Sequence, residues 1–70
     1  MVKILLVDDN QDFLDILKQG LSSHQVLLAN DGLEGVETYK KEEPDVVIMD
    51  IKMPVMDGIK ATKEILKFNP

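Results

Sequence analysis

Three short aliphatic runs, each followed by a polar break and then a segment of helical periodicity, constrain this chain most. The runs are "KILLV" (Lys3 to Val7), "VLLA" (Val26 to Ala29) and "DVVIMD" (Asp45 to Asp50). The first is continuous and aliphatic, which suits a strand buried on both faces. After it, "DDNQD" offers Asn10 as an N-cap and Asp12 in the first helical turn, where negative charge suits the helix dipole. Phe13, Leu14, Leu17 and Leu21 recur at spacings of three and four, giving one apolar face. "SSHQ" reads as a polar turn in which His24 is simply solvated.

The second run is followed by "NDG", a turn signal that can also cap a helix. Leu33, Val36 and Tyr39 supply that helix's inner face. Gly35 inside it costs about 1 kcal/mol relative to alanine, and "GLEG" lacks the spacing of a dinucleotide fingerprint. "KKEE" reads as a solvated helix end, and Pro44 closes it, because the residue before proline disfavours helix. The third run leads to a helix beginning near Gly58, capped by Asp57, with Ile59, Thr62, Ile65 and Leu66 facing inward. Alternating strands and helices imply an α/β fold, a parallel sheet with right-handed crossovers.

Composition narrows the functions available. At 70 residues the chain is one domain, and a domain this small buries only roughly 60% of the surface its unfolded form exposes. A formal net charge of −5 makes nucleic acid and anionic membrane poor partners. With no cysteine there is no disulfide framework, thiolate metal site or thiol nucleophile. That composition fits a cytoplasmic setting, and nothing approaches the length of a membrane span. Met49, Met53 and Met56 read as packing residues.

The acidic residues carry the chemistry. With the first and third strands side by side and parallel, Asp8, Asp9 and Asp50 gather at the carboxyl edge of the sheet, where open α/β sheets bind ligands. Clustered carboxylates repel one another unless a cation intervenes. Mg²⁺ accepts one or two carboxylates plus waters, and by screening their charge it lets an anionic phosphoryl group approach.

"ILLVDDN", "LANDG", "PDVVIMDIKMP" and "MDG", in this order, resemble the receiver domain of two-component response regulators of the chemotaxis-regulator type. The resemblance covers the whole chain. It implies a flavodoxin-like doubly wound sheet, with Asp50 as the phospho-acceptor and a histidine kinase as phosphoryl donor. It further implies Mg²⁺ bound directly by Asp9, Asp50 and the backbone carbonyl of Lys52, with Asp8 acting through water. Pro54 and Gly58 would shape the loop after the acceptor. Such a module is not a turnover enzyme. Haloacid-dehalogenase-like phosphatases, which also use an aspartyl nucleophile, want a second Asp two residues after it, where this chain has Lys52.

Receiver domains carry five strands in the order 2-1-3-4-5, whereas three are legible here, with "FNP" where a fourth should begin. The expectation is therefore one domain over residues 1–70, a (βα)₃ amino-terminal half with strand order 2-1-3. It would lack the family's hydroxyl residue and lysine that contact the phosphoryl group. An open third-strand edge would favour self-association. Either two third strands pair across a twofold into a sheet 2-1-3-3′-1′-2′, or a segment swaps between copies. A self-associating half-domain without phosphotransfer is the alternative function.

Overall fold

The computed structural model describes residues 2–70. Three strands alternate with three helices: β1 (Lys3–Val7), α1 (Gln11–Gly20), β2 (Gln25–Ala29), α2 (Gly32–Glu42), β3 (Val46–Met49) and α3 (Gly58–Phe68). The strands form one parallel sheet in the order β2-β1-β3, as expected. Strand β2 starts at Gln25, one residue before the aliphatic run, because the Gln25 N–H donates to the Val2 carbonyl at 3.0 Å.

The alternation of side chains along β1 divides the core in two. Ile4 and Leu6 turn to one face and pack with Leu14 of α1, flanked by Leu17, Leu21, Val26 and Leu28. Leu5 and Val7 turn to the other face and pack with Ala29, Val36, Tyr39, Ala61 and Ile65. Helix α1 thus covers one face alone, while α2 and α3 share the other. The central strand is buried on both faces, which is why its sequence is uninterrupted aliphatic.

The helix ends follow from local chemistry. Asn10 caps α1 by accepting the Phe13 N–H, Asp31 caps α2 by accepting the Glu34 N–H, and Asp57 caps α3 by accepting the Lys60 N–H. The Glu34 carboxylate reaches back to accept the Asn30 N–H at 2.8 Å, tying the residue before the cap to the first turn of α2. At the end of α2, Glu43 enters the left-handed region at φ 47° and its N–H bonds the Tyr39 carbonyl. Asp45 then clamps the start of β3 to β1: its carboxylate accepts the Lys3 N–H at 2.8 Å. Glu42 is not merely solvated, since the Lys3 ammonium lies 3.7 Å from its carboxylate. On the outer surface of α3, Lys67 hydrogen-bonds Glu64 and, with its charge, holds that carboxyl below the usual value.

Three inner faces differ from the sequence reading. Phe13 is 45% exposed, so Leu14 is the deeply buried residue of α1. In α2, Val36 and Tyr39 are buried but Leu33 faces outward. In α3, Ile65 is buried as expected, but Ile59 is 56% exposed and Thr62 and Leu66 are exposed too. The inner stripe there is Gly58, Ala61 and Ile65. These small residues let α3 lie close to α2 and to the Asp50–Ile51 backbone, and that proximity sets which stripe faces in. Gly35 has a similar reason, because a Cβ there would come within 3.0 Å of both Val7 methyls. His24 is half-buried rather than solvated, its Nδ1 accepting the Val2 N–H at 3.2 Å.

Candidate functional site

The sheet delivers Asp8, Asp9 and Asp50 to its carboxyl edge, as the strand ends require. Asp8 follows β1 and stays tied to the sheet through its N–H, which donates to the Ala29 carbonyl at 3.1 Å. Asp50 follows β3 and is tied likewise, its N–H donating to the Val7 carbonyl at 2.9 Å. One carboxylate oxygen from each of Asp8, Asp9 and Asp50 lies within 4.8 Å of the other two. Asp8 and Asp50 are half-buried and Asp9 is exposed.

The carboxylates differ in how they are held. Asp8 Oδ1 accepts the Asn10 N–H at 2.9 Å, an Asx turn that fixes the side chain as α1 begins. Asp50 Oδ1 accepts the Ile51 N–H at 2.8 Å. No hydrogen bond among the described residues engages the Asp9 carboxylate or the Lys52 carbonyl. The ion pairs among the described residues, Lys3–Glu42 and Lys67–Glu64, leave the trio without a cationic partner.

This arrangement fits a hard divalent cation. Two oxygens on opposite sides of one Mg²⁺ stand about 4.2 Å apart, given metal–oxygen distances near 2.1 Å. The observed spread of 4.8 Å is slightly wider. Two carboxylates can therefore ligate directly and the third through a water, without rearranging the strands.

The loop from Asp50 to Asp57 is shaped by close backbone contacts. The Gly58 N–H donates to the Ile51 carbonyl at 2.7 Å. A Cβ on Gly58 would fall 1.9 Å from the Asp50 carbonyl oxygen, so only glycine fits there. Pro54 opens a tight turn: the Met56 N–H reaches back to the Pro54 carbonyl at 2.7 Å, with Val55 between them at φ 68°. That hydrogen bond and φ are those of the strained form of the γ-turn. A β-branched residue is poorly suited to it. Met49, Met53 and Met56 pack against the core beneath the loop, as packing residues should.

The strain at Val55 makes a prediction. Val55→Gly removes a Cβ conflict worth about 1–2 kcal/mol and adds unfolded-chain entropy costing about 0.5–1 kcal/mol. The expected net result is a stabilisation of about 0.5–1 kcal/mol, read as a rise of a few degrees in thermal midpoint. An unchanged or lower midpoint would remove the strain argument.

The sequence reading missed the roles of two residues beside the site. Asn10, read only as the cap of α1, also positions Asp8 through its backbone N–H, and an Asp directly after a strand, two residues before a helix cap, is the signal of such an Asx turn. Phe13, assigned to the core, instead lines a cleft of 190 Å³ together with Leu17, Ile48, Asp8 and Asp50.

Three parallel βα units in the order 2-1-3, with carboxylates collected at the strand ends, define a flavodoxin-like α/β half-fold. Residues 4–70 match the family described as the response regulator receiver domain, and the chain belongs to that family. It is 44% identical over 69 positions to the chemotaxis protein CheY of Halobacterium salinarum, aligning with 96% of this chain and 58% of that protein. It is 44% identical over 73 positions to a protein-glutamate methylesterase/protein-glutamine glutaminase of Methanococcus maripaludis, covering 99% of this chain but 20% of that protein. The response regulator domain of Thermotoga maritima CheB superposes with a TM-score of 0.95 at 40% identity, over 100% of this chain and 55% of that one. The chain thus spans just over half of the CheY relative and a fifth of the methylesterase. Among the described residues no helix is long and apolar enough to cross a membrane.

Proposed function

We propose that this chain acts as a phospho-acceptor in two-component signalling, with Asp50 as the nucleophile. The observation that carries the reading is the convergence of Asp8, Asp9 and Asp50 within 4.8 Å at the strand ends. Asp9, Asp50 and the Lys52 carbonyl would hold Mg²⁺, with Asp8 reaching it through water. Both Asp9 and the Lys52 carbonyl are free of competing hydrogen bonds among the described residues. The ion, when bound, supplies charge neutralisation for an incoming phosphoryl group. Asp50 Oδ then attacks phosphorus in line. A P–O bond forms as the P–N bond of a histidine kinase's phosphohistidine breaks, leaving the imidazole and an acyl phosphate. The accepting carboxylate is held by a backbone N–H rather than by a salt bridge, so one oxygen stays available.

This is a single transfer to the protein, not a turnover reaction. The methylesterase activity of the Methanococcus relative is not carried to this chain, because the alignment covers a fifth of that protein. The reading includes a cytoplasmic setting and self-association through β3, whose Val46 and Ile48 are 44% and 45% exposed.

The metal half of the proposal is tested by thermal unfolding against Mg²⁺ concentration. A ligand that binds only the folded state raises the midpoint with concentration. The wild-type chain should respond at millimolar Mg²⁺, and Asp50→Ala should not. Asp9→Asn should raise the metal-free midpoint by relieving like-charge repulsion while blunting the response to metal. Identical Mg²⁺ responses in wild type and Asp50→Ala would sink the assignment.

A further inference from the structure

We infer that Asn30 and Gln11 are positioning residues for the metal site. Their side chains tie the end of β2 to the start of α1, and this brace holds the Asp8–Asn10 segment, and with it the Asp9 carboxylate, where a cation needs it. The inference rests on the Mg²⁺ reading above.

Asp9 has the least support of the three carboxylates. It is exposed, and no hydrogen bond among the described residues engages its carboxylate. Its place is therefore set by the backbone of the short segment between β1 and α1. The end of β2 holds that segment on both sides. Where the segment leaves β1, the Ala29 carbonyl accepts the Asp8 N–H at 3.1 Å. Where it enters α1, the next residue, Asn30, donates from Nδ2 to Gln11 Oε1 at 2.8 Å. Between these ties the Asn10 N–H closes on Asp8 Oδ1 at 2.9 Å. The segment thus runs from one fixed point to another, and both points belong to Ala29–Asn30.

Both partners in the second tie are themselves anchored. The Asn30 N–H donates to Glu34 Oε1 at 2.8 Å, which fixes Asn30 against the first turn of α2. Gln11 Nε2 donates to Asp15 Oδ1 at 2.9 Å, one turn along α1. That contact sets the polarity of the bridge. An ionised carboxylate can only accept, so it takes the Gln11 NH₂ and leaves the amide oxygen turned toward β2. Only a donor can meet that oxygen, and the Asn30 NH₂ supplies it. Asp31, the neighbouring residue, spends its carboxylate on capping α2, so the two side chains after β2 serve different helices.

Mg²⁺ makes the bracing consequential. It demands near-octahedral geometry at about 2.1 Å, so a small drift of one carboxylate weakens binding. Residues that orient metal ligands through hydrogen bonds typically contribute about 10–100-fold to affinity. Asn30 and Gln11 act one link further out and are exposed, so about three- to fivefold is expected of each. Because the two share one bond, losing both should cost no more than losing either.

The test uses Asn30→Ala, Gln11→Ala and the double variant of the 70-residue chain. None of them changes the net charge, and alanine at position 30 keeps the backbone bond to Glu34. Isothermal titration calorimetry reads Mg²⁺ affinity. Amide hydrogen exchange in the metal-free protein reads the Asn10 N–H against that of Leu5 in the central strand. Each single variant and the double should bind Mg²⁺ about three- to fivefold more weakly. Relative to Leu5, the Asn10 N–H should exchange about threefold faster or more. Asn30→Ala lies outside the helices and carries the test if Gln11→Ala fails to fold. A bond that only added stability would lower the metal-free midpoint and leave Mg²⁺ affinity unchanged, and that result would overturn the positioning role. Losses that multiply in the double variant, or wild-type exchange at Asn10 in the single variants, would overturn the brace. A wild-type chain that binds no Mg²⁺ would overturn the metal reading and the positioning role with it, and that failure shows before any variant is made.

Discussion

Gly58→Ala is expected to lower the thermal midpoint by roughly 10–20 °C, corresponding to about 3 kcal/mol in a domain of this size. The added methyl would lie 1.9 Å from the Asp50 carbonyl oxygen and 2.9 Å from the Ile51 Cα. Both obstacles are backbone, so no side chain can rotate away. Either the 2.7 Å bond from the Gly58 N–H to the Ile51 carbonyl breaks, or Asp50 itself shifts. The second route couples stability to function, because Asp50 must keep its place beside Asp8 and Asp9. The substitution should therefore also weaken the response to Mg²⁺. Thermal circular dichroism with and without the metal checks both parts, and a midpoint within two or three degrees of wild type would contradict the close approach.

Leu14→Ala should cost about 2–5 kcal/mol, the usual range for a buried leucine, and so consume most of the stability of a domain this small. Leu14 is 0% exposed and is the one buried residue of α1, the helix that alone covers its face of the sheet. Losing that contact should free α1 from Ile4 and Leu6. Phe13→Ala, one residue away, should cost under about 1 kcal/mol, because a half-exposed side chain loses little burial. Urea denaturation of the two variants makes the comparison. Equal losses would mean that α1 turns Phe13 as well as Leu14 toward the sheet.

That contrast shows where the sequence was informative. The strands were legible because β1 is covered on both faces and must be aliphatic throughout. The caps at Asn10 and Asp57 were legible because their side chains satisfy backbone donors one turn away. The inner faces of helices were less so. Helix α3 carries two apolar stripes, and reading Ile59, Thr62, Ile65 and Leu66 as the inner face placed Ile65 rightly but took Ile59 and Leu66 from the outer stripe. The stripe that faces in holds Gly58 and Ala61 beside Ile65, since close approach to α2 and to the Asp50–Ile51 backbone favours small residues over large ones. Val55 gave no hint of a positive φ, as its side chain argues against one. At the site, Asp8, Asp9 and Asp50 could be placed by strand ends alone. The Asx turn holding Asp8 and the half-exposed position of Phe13 depend on how α1 leaves the sheet, which periodicity does not encode.

The most direct test of the account is intact-mass measurement of the chain after incubation with a small-molecule phosphoryl donor, such as acetyl phosphate, with and without Mg²⁺. The account predicts the gain of a single phosphoryl group, dependent on Mg²⁺, removed by hydroxylamine as an acyl phosphate should be, and abolished by Asp50→Asn. Labelling that persists in Asp50→Asn, or a wild-type chain that folds and binds Mg²⁺ yet takes up no phosphoryl group, would contradict it.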